Sequence, residues 1–195
     1  MPYQFQYIPS QDYQKIYKDI LIKFPKNKKA LTALSSFPRN QILAKNIQPD
    51  PPNEALQKIV NFFNNGEVQQ ALEISITLLE SYPNSAKLHA FCGTCNAALD
   101  RLDIAIIAFK KALSINPNFI DAHYNLGVAA KNNQDLKQAE NSYKKVLELN
   151  PKHVDALNNL GTLYHEQKFY NRSLDSFNAA IAQNPTDLEA NFNKA

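Results

Sequence analysis

Prolines at Pro83, Pro117, Pro151 and Pro185 stand 34 residues apart, and Gly93, Gly127 and Gly161 keep the same interval. Ala71, Ala105 and Ala139 continue it to Ser173, while Ser75, Phe109, Tyr143 and Phe177 fill a further slot. Four slots on one period mark a repeat array, in which each unit buries its apolar face only against its neighbours. Counting from Pro52 gives units 52–85, 86–119, 120–153 and 154–187, with the start of a fifth at 188–195.

Each unit reads as two helices. In the third, Ala122, Leu126, Ala129 and Ala130 have helical spacing and predict a first helix over Asp121–Asn132. Asn133-Gln134-Asp135 is the expected turn. A second helix over Leu136–Leu149 puts Ala139, Tyr143, Val146, Leu147 and Leu149 on its apolar side. Pro151 ends it, since proline lacks the N–H and clashes with the preceding turn. Gly127 and Ala139 are expected where the paired helices cross. Only 4 glycines in 195 residues argue against a turn-rich β fold, so the expectation is all-α.

The repeat resembles the tetratricopeptide repeat. Leu126-Gly127, Ala139, Tyr143, Val146 and Pro151 carry the resemblance in one unit; Leu160-Gly161, Tyr164, Ser173, Phe177, Ala180 and Pro185 carry it in the next. It covers residues 52–195. It implies a right-handed α-α superhelix, a solenoid of antiparallel helix pairs whose first helices line a concave groove. The unit at Pro52 departs from the pattern, with Ile59 in the glycine slot and Ser75 in the aromatic slot, and looks like a degenerate or capping repeat. His89, His123 and Leu157 stand where the family places a large aromatic, so that corner is expected to be less tightly filled.

The first 51 residues differ in charge. They hold 8 Lys or Arg and 3 Asp, net +5, leaving 21 − 8 = 13 basic and 18 − 3 = 15 acidic residues, net −2, in the remainder. Ile16, Tyr17, Ile20, Leu21 and Phe24 suggest the second helix of a decayed repeat. A short helix from Lys28 to about Leu34 and a linker broken by Pro38, Pro49, Pro51 and Pro52 would follow. The basic arm (Lys15, Lys18, Lys23, Lys26, Lys28 and Lys29) is read as a solvated helix face rather than a nucleic-acid site, because Asp12 and Asp19 dilute it. At the other end no polar terminal helix is visible. The chain is therefore expected to be the leading piece of a longer polypeptide, with self-association through the uncapped C-terminal end as a further expectation.

Composition narrows the function classes. Net charge is +3, too weak to suggest nucleic-acid binding. No apolar run approaches the roughly 20 residues that span a bilayer, so no membrane insertion is expected. The start has neither a basic n-region nor an apolar h-region of a secretory signal. Two cysteines make no disulfide framework, which fits a reducing, cytoplasmic location. Cys92-Gly93-Thr94-Cys95 is a CxxC one helical turn after His89, but it has no preceding strand and no second ligand pair, and Cys92 holds the core slot of Leu126 and Leu160. Buried thiols are expected rather than a redox or metal site. His165-Glu166 begins like a metalloprotease helix, yet Phe169 stands where the second histidine belongs. With no nucleophile–base set, the chain is expected not to be an enzyme and to need no cofactor.

Asn125, Asn159 and Asn193 share one slot, preceded in the third and fourth units by Tyr124 and Asn158. By the family's geometry these positions face the groove, as do Val128, Lys131, Thr162 and His165. An amide offers donor and acceptor together, the pairing that an extended peptide backbone presents. Asp121, Asp155 and Glu189 form a second ladder, placed to complement helix dipoles and able to select basic side chains. A clamp for acidic tails would need several groove cations, and Lys131 alone is too few. The expected function is a scaffold that binds a protein or peptide segment in the groove. The alternative is the substrate-recruiting or dimerising part of a larger bacterial enzyme (a glycosyltransferase, sulfotransferase or 2-oxoglutarate-dependent oxygenase) with its chemistry after Ala195.

Overall fold

The computed structural model describes residues 50–186, 191 and 193. The expected N-terminal helices and most of the fifth unit lie outside them. Eight helices and no strand occur among the described residues: α1 (Asn53–Asn64), α2 (Val68–Ser81), α3 (Ala86–Ala98), α4 (Leu102–Ile115), α5 (Ile120–Asn132), α6 (Leu136–Leu149), α7 (Val154–Glu166) and α8 (Tyr170–Gln183). The fold is the all-α tetratricopeptide type of solenoid built from helix pairs. The described residues fall into two compact units, divided within α4 between Ile107 and Ala108.

In the first unit α1, α2 and α3 pack through Ile59, Leu72, Leu79, Leu88, Cys92 and Cys95, all buried. Ile59 and Ser75 are both fully buried, so the bulk found elsewhere on the second helix sits here on the first. Ser75 hides its hydroxyl by donating to the Ala71 carbonyl at 2.7 Å. Ser85 caps α3 by accepting from the Leu88 N–H at 3.2 Å, and its own hydroxyl donates to Asp50 at 2.6 Å.

In the second unit the expected helix crossing is present. A Cβ added at Gly127 would lie 2.5 Å from Tyr143 Cε1, and one at Gly161 would lie 2.6 Å from Phe177 Cε1. Each glycine thus lets an aromatic ring of the partner helix lie against bare backbone. Ser173, in the alanine slot, adds a bond from its hydroxyl to the Gly161 carbonyl at 2.9 Å. A core of Ala130, Ala139, Tyr143, Leu160, Leu163 and Tyr164 joins α5, α6 and α7.

Two devices close the loops. Within each pair the turn passes through one left-handed residue: Gly66 (φ 81°), Asp100 (56°), Gln134 (63°) and Lys168 (64°), again 34 apart. At Gln134 the bonds Gln134 N–H to Lys131 O (3.0 Å) and Asp135 N–H to Ala130 O (2.9 Å) make a Schellman cap, and the other three turns repeat them. Only the first supplies a glycine. Between pairs, Asn116, Asn150 and Asn184 precede the periodic prolines, and their side-chain oxygens accept from Asn118, Lys152 and Thr186 N–H at 3.2–3.3 Å. His89 and His123 then bond through Nε2 to the carbonyls of Pro83 (3.0 Å) and Pro117 (2.8 Å), as Asn191 Nδ2 does to Pro185 (3.2 Å). At His89 and His123 the corner expected to be loosely filled is therefore closed by a hydrogen bond, whereas Leu157 fills its corner without one.

Candidate functional site

Four positions on α5 lie one stripe along the helix: Asp121, Asn125, Val128 and Asn132. Their counterparts on α7 are Asp155, Asn159, Thr162 and Glu166. The spacing i, i+4, i+7, i+11 keeps each set on one face. In both helices the two outer positions are exposed and the two inner ones partly exposed, the profile of a lined surface rather than a core.

Two ties join the α7 stripe to α5, at residues beside the α5 stripe. The Asn159 amide donates to Tyr124 Oη at 3.1 Å, and Lys131 Nζ meets Glu166 Oε1 at 3.1 Å. Tyr124 is held between neighbours: its ring stacks on His153 at 5.2 Å and meets Tyr143 at 6.2 Å. The second Asn159 N–H goes to the Asp155 carbonyl at 3.0 Å, and the Thr162 hydroxyl donates to the Asn158 carbonyl at 3.0 Å. Val128 packs against the core beneath the stripe. His165 is exposed and edge-on to Tyr170 at 5.6 Å. Asn193 is helical and exposed.

Asn158 is a correction. Its side chain is 2 % exposed, so it is not offered to a ligand. Tyr124 fills the same slot, but its longer ring reaches out to His153 while the short amide stays beneath the surface.

At the CxxC, both thiols are buried and unbridged. Burial, reinforced by Cys95, raises the Cys92 thiol far above its ordinary value, and burial pushes Cys95 up to about 11. Neither is a thiolate at neutral pH, so neither is a nucleophile. A different cluster surrounds Glu140, which accepts from Lys144 at 2.6 Å and from Tyr164 Oη at 2.9 Å. The Lys144 hydrogen bond holds its carboxyl below the usual value against burial, the next largest effect, with a lesser contribution from Tyr164. Beside it, the Arg172 guanidinium lies 5.8 Å from the Tyr164 ring centre and 5.4 Å from that of Phe169. Phe169, Tyr170 and Leu174 are 49 %, 59 % and 43 % exposed and form an apolar patch at the start of α8.

Sequence models described as tetratricopeptide repeat match residues 120–153 and 142–174, and one described as TPR repeat matches 97–134. The chain is 33 % identical over 81 residues to a peroxisomal targeting signal receptor of Kluyveromyces lactis, 42 % of this chain and 14 % of that protein. It is 30 % identical over 74 residues to a protein O-mannosyl-transferase of Caenorhabditis elegans, 38 % of this chain and 11 % of that one. The matches thus span a small fraction of these relatives. Among solved structures, MamA aligns with TM-score 0.65 at 20 % identity, covering 92 % of this chain and 96 % of its own. YrrB, described as a TPR protein with an unusual peptide-binding site, aligns with TM-score 0.64 at 18 % identity, covering 93 % and 98 %. At these identities the two structures speak for the fold alone. No described helix is long and apolar enough to cross a membrane.

Proposed function

The chain is a tetratricopeptide repeat protein, and we propose that it serves as an interaction scaffold that holds an extended partner segment across the α5–α7 face. The observation that carries this is the pair of matched stripes, the α7 stripe being tied to α5 residues beside its counterpart by Asn159–Tyr124 and Lys131–Glu166. A rigid, polar surface with fixed spacing suits a backbone laid along it, because its side chains lose little freedom on binding. Asn125, Asn159, Val128, Lys131 and Thr162 line the site, with Tyr124 positioning Asn159, and His165 and Asn193 at its margins. The scaffold itself is non-catalytic in this proposal. The YrrB description is compatible with it.

Affinity capture from the source cell's lysate, with the native chain beside an Asn125→Ala/Asn159→Ala variant, tests it. Partners retained by the native chain and lost by the variant support groove binding; partners retained equally by both defeat it. One observation favours a second reading, in which the array recruits substrate or dimerises as part of a larger enzyme: one relative, matched over 74 residues, is described as a protein O-mannosyl-transferase. The codons that follow Ala195 in the source gene decide it. Self-association through the exposed Phe169, Tyr170 and Leu174 is tested by sedimentation, where Tyr170→Glu should abolish any concentration-dependent dimer.

A further inference from the structure

The hydrogen bonds along α7 have a direction. Both N–H groups of the Asn159 amide are spent within the protein, on Tyr124 Oη and on the Asp155 carbonyl. The Thr162 hydroxyl proton is spent on the Asn158 carbonyl. What these two side chains retain for a ligand is the Asn159 Oδ1 and the lone pairs of Thr162 Oγ1. The stripe positions at either end, Asp155 and Glu166, have only acceptors to give. All four positions of the α7 stripe therefore present acceptors, and Lys131, the cation paired with the stripe, is engaged by Glu166 at 3.1 Å. An amide read from sequence as both donor and acceptor has been converted, at Asn159, into an acceptor.

We infer that this face selects extended segments rich in hydrogen-bond donors, namely segments carrying lysine or arginine at alternate positions, and discriminates against acidic ones. The inference rests on the groove function proposed above and names its ligand class. Alternation follows from the strand period, since every second side chain of an extended segment points to one side. An acidic segment would set its carboxylates against Asp155, Glu166 and an outward-facing amide oxygen, with no donor in the α7 stripe to receive them. Backbone carbonyls of the segment find donors on the α5 side, in the Asn125 and Asn132 amides. The chain is net +3 as a whole, but residues 52–195, which carry this face, hold 13 basic and 15 acidic residues, net −2, and do not repel a cationic ligand.

The test uses three labelled 12-residue peptides, alternating Ala–Lys, Ala–Gln and Ala–Glu, titrated with the full 195-residue chain and followed by fluorescence anisotropy at low salt. The Lys peptide is expected to bind about tenfold tighter than the Glu peptide, with the Gln peptide between. Asp155→Asn and Glu166→Gln should each weaken the Lys peptide about threefold, as removal of one partly screened charge does. Lys131→Ala should strengthen it by a similar factor, because it releases Glu166; a purely structural role for that ion pair predicts loss instead. Thermal melts confirm that each variant is folded. Equal or tighter binding of the Glu peptide, still weakened by Asn125→Ala, overturns the donor preference and leaves groove binding standing. Binding of none of the three peptides overturns both.

Discussion

Replacing Gly127 by alanine sets two effects against each other, and the structure decides between them. In an open helix interior the change gains about 1 kcal/mol, because glycine has the larger chain entropy to lose. Here the new Cβ would sit 2.5 Å, 2.7 Å and 3.0 Å from Cε1, Cδ1 and Cζ of Tyr143. Those atoms belong to a planar ring that is fully buried and backed by Tyr124 at a centroid distance of 6.2 Å, so it cannot swing aside as a flexible side-chain tip would. The ring or the helix must move by nearly 1 Å to restore ordinary contact. Overpacking of this kind costs about 1–3 kcal/mol, and a rigid buried neighbour places the cost in the upper half. The net expectation is a loss of about 1–2 kcal/mol, or roughly 3–6 °C in melting temperature for a chain of this size. Thermal and urea unfolding followed by circular dichroism reads it. In a Tyr143→Leu background the clash is gone, and the same Gly127→Ala change should turn stabilising. A rise in melting temperature in the wild-type background would falsify the crossing account, since the helix would then be gaining propensity with no steric charge against it.

The Tyr143 hydroxyl is buried without a hydrogen-bond partner among the described residues, and phenylalanine already fills this slot at Phe109 and Phe177. Tyr143→Phe should therefore stabilise by about 1 kcal/mol, and a measured loss would mean that the hydroxyl has a partner. Gln134 sits at φ 63°, where an L side chain costs about 1–2 kcal/mol, so Gln134→Gly should raise stability by about 0.5 kcal/mol after its larger unfolded-state entropy is counted. Asn133→Gly, one residue earlier at φ −84°, should instead lower it. For Glu140 the folded pKa lies below the unfolded one, held down first by Lys144, so its contribution is complete above the unfolded carboxylate value near pH 4.3 and lost as pH falls through the folded value. Glu140→Gln should accordingly destabilise at pH 7 and make no difference near pH 2 in chemical-denaturation titrations, and equal losses at both pH values would reject the linkage.

The parts of this fold legible in the sequence are those in which one residue type answers one geometric demand. Pro151 must end a helix, Gly127 must admit a ring, and Leu136–Leu149 must turn one face inward; each constraint is local and repeats 34 residues on. Features that depend on which neighbour meets which were hidden. The left-handed turn residues at Asp100, Gln134 and Lys168 carry no glycine signal, and only the hydrogen bonds of the Schellman caps reveal that the backbone must take that form. His89 and His123 looked like poor substitutes for an aromatic, because a bond to a proline carbonyl six residues earlier cannot be seen without the turn between them.

Asn158 and Asn159 mark the same boundary at the candidate site. They are adjacent, chemically identical and about 100° apart around α7, and that rotation alone buries one amide and leaves the other at the surface. Residue type could place an amide in each slot but could not assign its direction. Direction is set by Tyr124, a residue 35 positions earlier, and by the Asp155 carbonyl one turn below, which together claim both protons of Asn159. A ladder of like residues in a repeat array is consequently not a ladder of like functions. Asn159 is committed as an acceptor by Tyr124 in the preceding unit, whereas Ala90 holds the Tyr124 slot one period earlier. Ligand preference in such an array is thus written in the residues between the ladder positions as much as in the ladder itself.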